Sequence, residues 1–211
     1  MNEVDRNRFI RDLERVPVIA ILRGVTPETV VPVCEALYEG GIRFIEVTLN
    51  SVEPLESIRK AAAHFAGRDV RVGAGTVLRP EDVDRVADVG GLYIISPNFN
   101  PAVVERTRKL GLISIPGIMT PTEAFTATDA GADLLKVFPA SRFGPGYLND
   151  LKAVLPTPLI AVGGVKRNDL LDYLRIAVAV GVGSSVYSPS WSPQEITQHT
   201  AEYMAVLNAM R

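Results

Sequence analysis

Leu134-Leu135-Lys136-Val137-Phe138-Pro139 is apolar on both sides of one lysine. It lies between two turn-rich stretches, Ala130-Gly131-Ala132-Asp133 and Ser141-Arg142-Phe143-Gly144-Pro145-Gly146. A short apolar run bounded by turn signals reads as a buried strand, and a strand without a polar face belongs in a parallel sheet. A lysine there is costly, because an ammonium in low dielectric is disfavoured and its pKa falls. A lysine kept neutral is a nucleophile, and its usual use is a Schiff base with a carbonyl compound. The plainer alternative is a strand-end lysine whose stem packs on the wall while its ammonium reaches water. The rest of the chain decides between them.

Outward from this run the same strand-then-helix pattern recurs. Residues 2–15 are charged and amphipathic and predict a helix before the first strand, Pro17–Leu22. Thr26-Pro27-Glu28 predicts a capped helix to about Tyr38, stopped by Gly40-Gly41. Strands follow at 44–49, 70–77, 92–96 and 112–116, with helices at 52–65, from Pro80 and at 100–110. Thr120-Pro121-Thr122-Glu123 predicts a capping box. The lysine strand is sixth, Pro158–Gly164 seventh and Ile176–Ser184 eighth, with helices from about Lys166 to Arg175 and from Pro193 to about Met210. Eight apolar strands about 20–27 residues apart predict an α/β fold, a (β/α)8 TIM barrel with an extra N-terminal helix. A doubly wound open sheet is the rival, but no Gly-x-Gly-x-x-Gly follows the first strand. No linker or composition shift interrupts residues 1–211, so one domain is expected.

Composition excludes other classes. The 211 residues are 47% apolar and 22% charged with a net charge of −2, which leaves no basic footprint for nucleic acid or an anionic membrane. No apolar run is long enough to span a bilayer, and the charged start at Met1–Arg6 is unlike a signal peptide. Cys34 is the sole cysteine, which suits a reducing cytoplasm and a small apolar core role. His64 and His199, the only histidines, fall in helical stretches away from strand ends, so neither a metal site nor a histidine triad is expected.

In a barrel the carboxyl ends of the strands share one mouth. Read in order they supply Arg23, Glu46, Thr76, Pro97, Lys136, Gly163-Gly164 and Gly183-Ser184. Arg23 alone could be a rim residue, Thr76 could bond backbone, and the glycine turns could be tight connections. Glu46, set among Phe44, Ile45, Val47 and Leu49, is harder to explain structurally, because buried carboxylates are rare unless paired. Glycines after strands seven and eight are where barrels commonly hold phosphate. Lysine, carboxylate and phosphate cradle together point to carbon–carbon chemistry through an imine. Glu46 would move protons through a water, and Arg23 and Thr76 would fix an anionic end.

The motifs Ala20–Gly24, Glu46–Ser51, Gly73–Val77, Ser96–Asn98, Pro116-Gly117, Leu135–Pro139 and Ala161–Val165 resemble the class I aldolases of 2-keto-3-deoxy-6-phospho-sugar acids, from about Val18 to Ser185. The resemblance implies a cytoplasmic homotrimer of barrels that needs no metal or cofactor and splits a small phosphorylated keto-deoxy sugar acid into pyruvate and D-glyceraldehyde 3-phosphate. By the same resemblance Lys136 matches the Schiff-base lysine and Glu46 the general acid/base. Thr76 matches a pyruvate-carboxylate ligand, and Pro97 and Phe138 match pocket walls. Gly163, Gly164, Gly183 and Ser184 match the phosphate turns.

Two positions separate the family's branches. The gluconate branch typically carries Arg after Glu-Val-Thr-Leu and Thr before Gly-Gly, where this chain has Asn50 and Val162. With Ser141–Tyr147, these resemble the galactonate branch and leave Arg23 to supply the carboxylate's cation. The gluconate and 4-hydroxy-2-oxoglutarate branch is the alternative. A non-catalytic sugar-phosphate barrel would have dispensed with Lys136 or Glu46.

Overall fold

The computed structural model describes residues 3–208. A helix, α1 (Glu3–Arg15), leads into a wholly parallel sheet: β1 (Val18–Leu22), β2 (Phe44–Thr48), β3 (Arg71–Gly75), β4 (Tyr93–Ile95), β5 (Ile113–Ile115), β6 (Gly117–Ile118), β7 (Leu135–Val137), β8 (Leu159–Val162) and β9 (Ala179–Val182). Its order is β5-β4-β3-β2-β1-β9-β8-β7-β6. Helices α2 (Val30–Glu39), α3 (Pro54–His64), α4 (Pro80–Asp88), α5 (Pro101–Lys109), α6 (Pro121–Asp129), α7 (Gly144–Lys152), α8 (Leu170–Leu174) and α9 (Pro193–Asn208) connect the strands.

The two ends of the sheet, β5 and β6, are halves of one strand. Pro116 separates them and has no N–H for a ladder. The first half pairs with β4 and the second with β7, and the Pro116 carbonyl still accepts the Lys136 N–H at 2.9 Å. The nine short strands therefore form the expected eight-stranded (β/α)8 barrel, closed through a proline break.

Other local readings shift. α2 starts at Val30, because residues 26–29 close a hydrogen-bonded turn first, with the Thr29 N–H on the Thr26 carbonyl at 3.1 Å. Gly144-Pro145-Gly146, read as turn, opens α7, with Pro145 in a first turn that needs no N–H from it. A 3-10 turn at Arg167–Asp169 precedes α8. The outer limits expected at residue 2 and Met210 lie outside the described residues. The capping box is present: Glu123 accepts the Thr120 N–H at 2.8 Å, and Thr120 Oγ1 accepts the Glu123 N–H at 3.3 Å.

The strands are buried on both faces, as parallel strands under helices must be. Val18, Ala20 and Leu22 face the helices, while Ile19, Phe44, Tyr93, Ile95, Ile113, Ile115 and Ile160 fill the barrel interior. At the amino end, α1 acts as a stopper. Phe9 packs edge-on against Phe44 and Tyr93, at 5.2 and 5.5 Å between ring centroids, with Leu13 beside it. Burying each of these two side chains contributes roughly 1.5–3 kcal/mol. Arg71–Asp12 at 2.9 Å and Arg6–Asp133 at 3.4 Å hold the stopper in place. The barrel is closed below, so a small molecule must enter at the carboxyl ends of the strands.

Candidate active site

All eleven residues singled out from the sequence line one cavity of about 660 Å³ at that open end. β2 carries Glu46 inward, in register with Ile21 of β1 and Gly73 of β3. β7 carries Lys136, in register with Gly117 and Ile160. Both are almost fully buried, with 2% and 5% of their surfaces exposed.

Small residues make room for these charged ones. A Cβ at Gly75 would stand 1.6 Å from Glu46 Oε1, so any other residue there would evict the carboxylate. A Cβ at Gly73 would strike the Tyr93 ring at 2.5 Å. The Gly73-Ala74-Gly75 run is thus the floor on which Tyr93 and Glu46 lie. Across the barrel, a Cβ at Gly117 would meet the Pro97 carbonyl at 2.4 Å, so the Pro97 loop can close against the strand beside Lys136.

Burial raises the Glu46 pKa, opposed by the charges of Lys136 and Arg23. Burial lowers that of Lys136; Glu46 opposes the shift and Arg23 adds to it. Carboxyl and amine feel each other's charge but form no ion pair within 4.0 Å. Glu46 Oε2 has no protein partner, and Lys136 Nζ stands 4.8 Å from the centroid of the Phe138 ring. A buried acid and a buried amine, each pushed toward its neutral form, are suited to proton transfer and nucleophilic attack.

The rim is built from strand ends. Thr76, just past β3, has φ +59°, a left-handed conformation that is strained for a β-branched residue. Gly163 and Gly164 both have positive φ, +94° and +76°, and end β8 in a turn that side chains would block. A Cβ on Gly163 would come 3.0 Å from the Phe138 ring, and one on Gly164 would come 2.2 Å from Ser141 Oγ. After β9, the Val186 and Tyr187 N–H groups both donate to the Gly183 carbonyl at 3.0 Å, a helical turn headed by Ser184 and Ser185. Val162 is buried on β8 opposite Gly181, where a Cβ would come 2.8 Å from Val162 Cγ2.

The family model for KDPG and KHG aldolase matches residues 9–201, nearly the whole chain and every residue of this site. The chain belongs to the KDPG and KHG aldolase family.

Enzymes of this family are carbon–carbon lyases acting on small phosphorylated keto-sugar acids. A Rhizobium meliloti (strain 1021) protein named probable 2-dehydro-3-deoxy-6-phosphogalactonate aldolase is 44% identical over 197 residues, 92% of each chain. The Escherichia coli (strain K12) 2-dehydro-3-deoxy-6-phosphogalactonate aldolase is 40% identical, over 90% of this chain and 94% of its own. A solved structure described as native KDPGal superposes with a TM-score of 0.88 at 38% identity, covering 92% of this chain and 95% of that one.

The two branch-marking positions differ in place. Val162 lines the cavity, whereas Asn50 is exposed and does not, and Arg23 is a cation at the mouth instead. The cavity also takes in residues that the sequence reading passed over, among them Ile21, Lys166, Tyr187 and Pro189. Ile21 could have been found from strand parity, since it lies two residues before Arg23 and opposite Glu46. Lys166 and Pro189 sit on loops whose course no periodicity announces. The histidines lie elsewhere: His64 bonds Glu35, and His199 stacks on Trp191 at 4.2 Å. Cys34 is fully buried in α2. Among the described residues, no three metal-ligating side chains come together, and no helix is long and apolar enough to cross a membrane.

Proposed function

We propose that this aldolase cleaves 2-dehydro-3-deoxy-6-phosphogalactonate to pyruvate and D-glyceraldehyde 3-phosphate through an imine on Lys136. The observation that carries the reading is the pair of buried, mutually interacting groups Lys136 and Glu46 in one cavity. Neutral Lys136 adds to the C2 ketone, and the carbinolamine takes up a proton from solvent and loses water, giving an iminium whose positive charge favours Glu46 as its carboxylate. Glu46, through a water, accepts the C4 hydroxyl proton. The C3–C4 electron pair then passes to the iminium as an enamine and the aldehyde departs. Protonation at C3 and hydrolysis release pyruvate and the free amine. Arg23 and Thr76 hold the carboxylate, and Pro97 and Phe138 form the wall. Gly163, Gly164, Gly183 and Ser184 take the phosphate on unhindered amides. Residues 1–211 act as one barrel domain, in the cytoplasm and as a homotrimer.

The direction of the Lys136 shift makes a pH prediction. Only the neutral amine attacks, so imine formation rises with pH through the Lys136 pKa. Because burial lowers that pKa from the ordinary 10.5, the rise should be complete at lower pH than an exposed lysine allows. The rate of trapping with pyruvate and cyanoborohydride across pH reads this directly. A midpoint at or above 10.5 contradicts the burial argument.

Val162 bears on the C4 epimer. A threonine there can bond one orientation of the C4 hydroxyl, whereas valine has the same shape and no polar atom. The native enzyme is expected to accept the galactonate-derived substrate well and to tolerate its epimer. Val162→Thr should shift the ratio of kcat/KM values toward the gluconate-derived substrate by roughly 1–2 kcal/mol, one neutral hydrogen bond. The shape of the site stays, because Gly181 opposite leaves space for a branched residue. Steady-state kinetics with both epimers and both proteins decide it. A native preference for the gluconate epimer, or an unmoved ratio, favours the gluconate and 4-hydroxy-2-oxoglutarate reading.

A further inference from the structure

Arg23 enters the cavity from a turn outside regular structure, and a chain of hydroxyls from the neighbouring strand holds that turn. β1 ends at Leu22, and Gly24 has φ +81°. The Gly24 N–H donates to Ser51 Oγ at 2.9 Å, across 27 residues of sequence. Ser51 Oγ lies 3.1 Å from Thr48 Oγ1, which donates to the Leu22 carbonyl at 3.3 Å. The direction of the chain is forced. An amide N–H can only donate and a carbonyl can only accept, so Ser51 must donate to Thr48. Each hydroxyl spends its one proton, and the peptide groups on both sides of Arg23 are tied to the end of β2.

On its opposite side the turn faces Pro189, whose Cγ would lie 3.4 Å from a Cβ on Gly24. The Arg23 guanidinium itself has no protein partner among the described residues. Asn50, between Thr48 and Ser51, stays out of the cavity. The end of β2 therefore supplies no cation of its own and instead fixes the backbone that carries one.

We propose that Ser51, backed by Thr48, is a positioning residue for Arg23 and so sets the enzyme's affinity for the carboxylate end of its substrate. This rests on the reading of Arg23 as the carboxylate's cation. A fixed backbone narrows where a flexible guanidinium can stand, so less freedom is lost when substrate binds.

The test is steady-state kinetics on the galactonate-derived substrate for the native enzyme, Ser51→Ala, Ser51→Thr, Thr48→Val, Arg23→Gln and the Ser51→Ala/Arg23→Gln double variant, with a thermal melt of each. Ser51→Ala should raise KM about fivefold, the scale of one lost neutral hydrogen bond, with kcat within about twofold because ground-state and transition-state binding weaken together. Thr48→Val breaks the same chain one link on and should do likewise. Ser51→Thr keeps the hydroxyl and should stay near native. Arg23→Gln should raise KM on the order of a hundredfold, and in that background Ser51→Ala should add almost nothing.

Three results overturn the positioning role: an unchanged KM in both chain-breaking variants, a Ser51→Thr variant as impaired as Ser51→Ala, or a full fivefold effect persisting without Arg23. An unchanged KM in Arg23→Gln alone overturns the underlying role of Arg23, and the single variant reports that separately. Thr48→Val keeps the measurement open should Ser51→Ala melt early.

Discussion

Borohydride added with pyruvate is expected to leave a covalent adduct on Lys136 and to abolish cleavage in the same proportion. The iminium formed by the amine and the ketone accepts hydride and becomes a secondary amine that cannot hydrolyse. An exposed lysine is almost wholly protonated at neutral pH and forms little imine, whereas Lys136 is buried and its pKa is lowered. Lys136→Ala should lose both the adduct and turnover on the order of 10⁴-fold or more, the scale of removing a catalytic nucleophile. Peptide mapping after reduction locates the adduct, and a chelator control should leave the rate unchanged. A label on another lysine, or none at all with activity intact, would remove the imine from the mechanism.

Glu46→Gln should fold normally and lose about 10²-fold or more in turnover, the usual scale for a positioned proton carrier. The amide occupies nearly the same volume, so it fits the gap that Gly75 leaves against Oε1. It cannot accept the C4 proton or return one to C3. Exchange of pyruvate's methyl protons with solvent should therefore fall with the cleavage rate, while trapping of pyruvate on Lys136 should persist. The two readouts separate proton transfer from imine formation. Near-native turnover would make Glu46 a structural carboxylate and put the proton carrier elsewhere.

The sequence was most legible where chemistry conflicted with burial. Lys136 and Glu46 each stand in a run of apolar residues, where a buried charge is costly unless it is paired or put to use, so both stand out as candidates from the sequence. Alternation of strand and helix was equally legible, because parallel strands buried on both faces read as continuous apolar runs. The proline break at Pro116 was not, since a fifth strand that pairs with different neighbours in its two halves looks like one run. α7 was also missed: Gly144-Pro145-Gly146 carries turn residues, and what makes it a helix start is the packing of Leu148 and Leu151 into the core.

By itself, then, the sequence determined the barrel, the lysine, the carboxylate and the glycine turns, because each follows from residue type against its local pattern. Tertiary structure decided what depends on long-range closure. Gly75 clears space for Glu46, Gly117 admits the Pro97 loop, and Ser51 reaches back 27 residues to the Gly24 amide. None of these has a local signature, because a glycine's missing Cβ or a serine's hydroxyl matters only against a partner that the fold brings alongside. Arg23 at the mouth shows the same division. Arg23 and Asn50 both follow strand ends, and only the course of the two turns puts one in the cavity and the other in solvent.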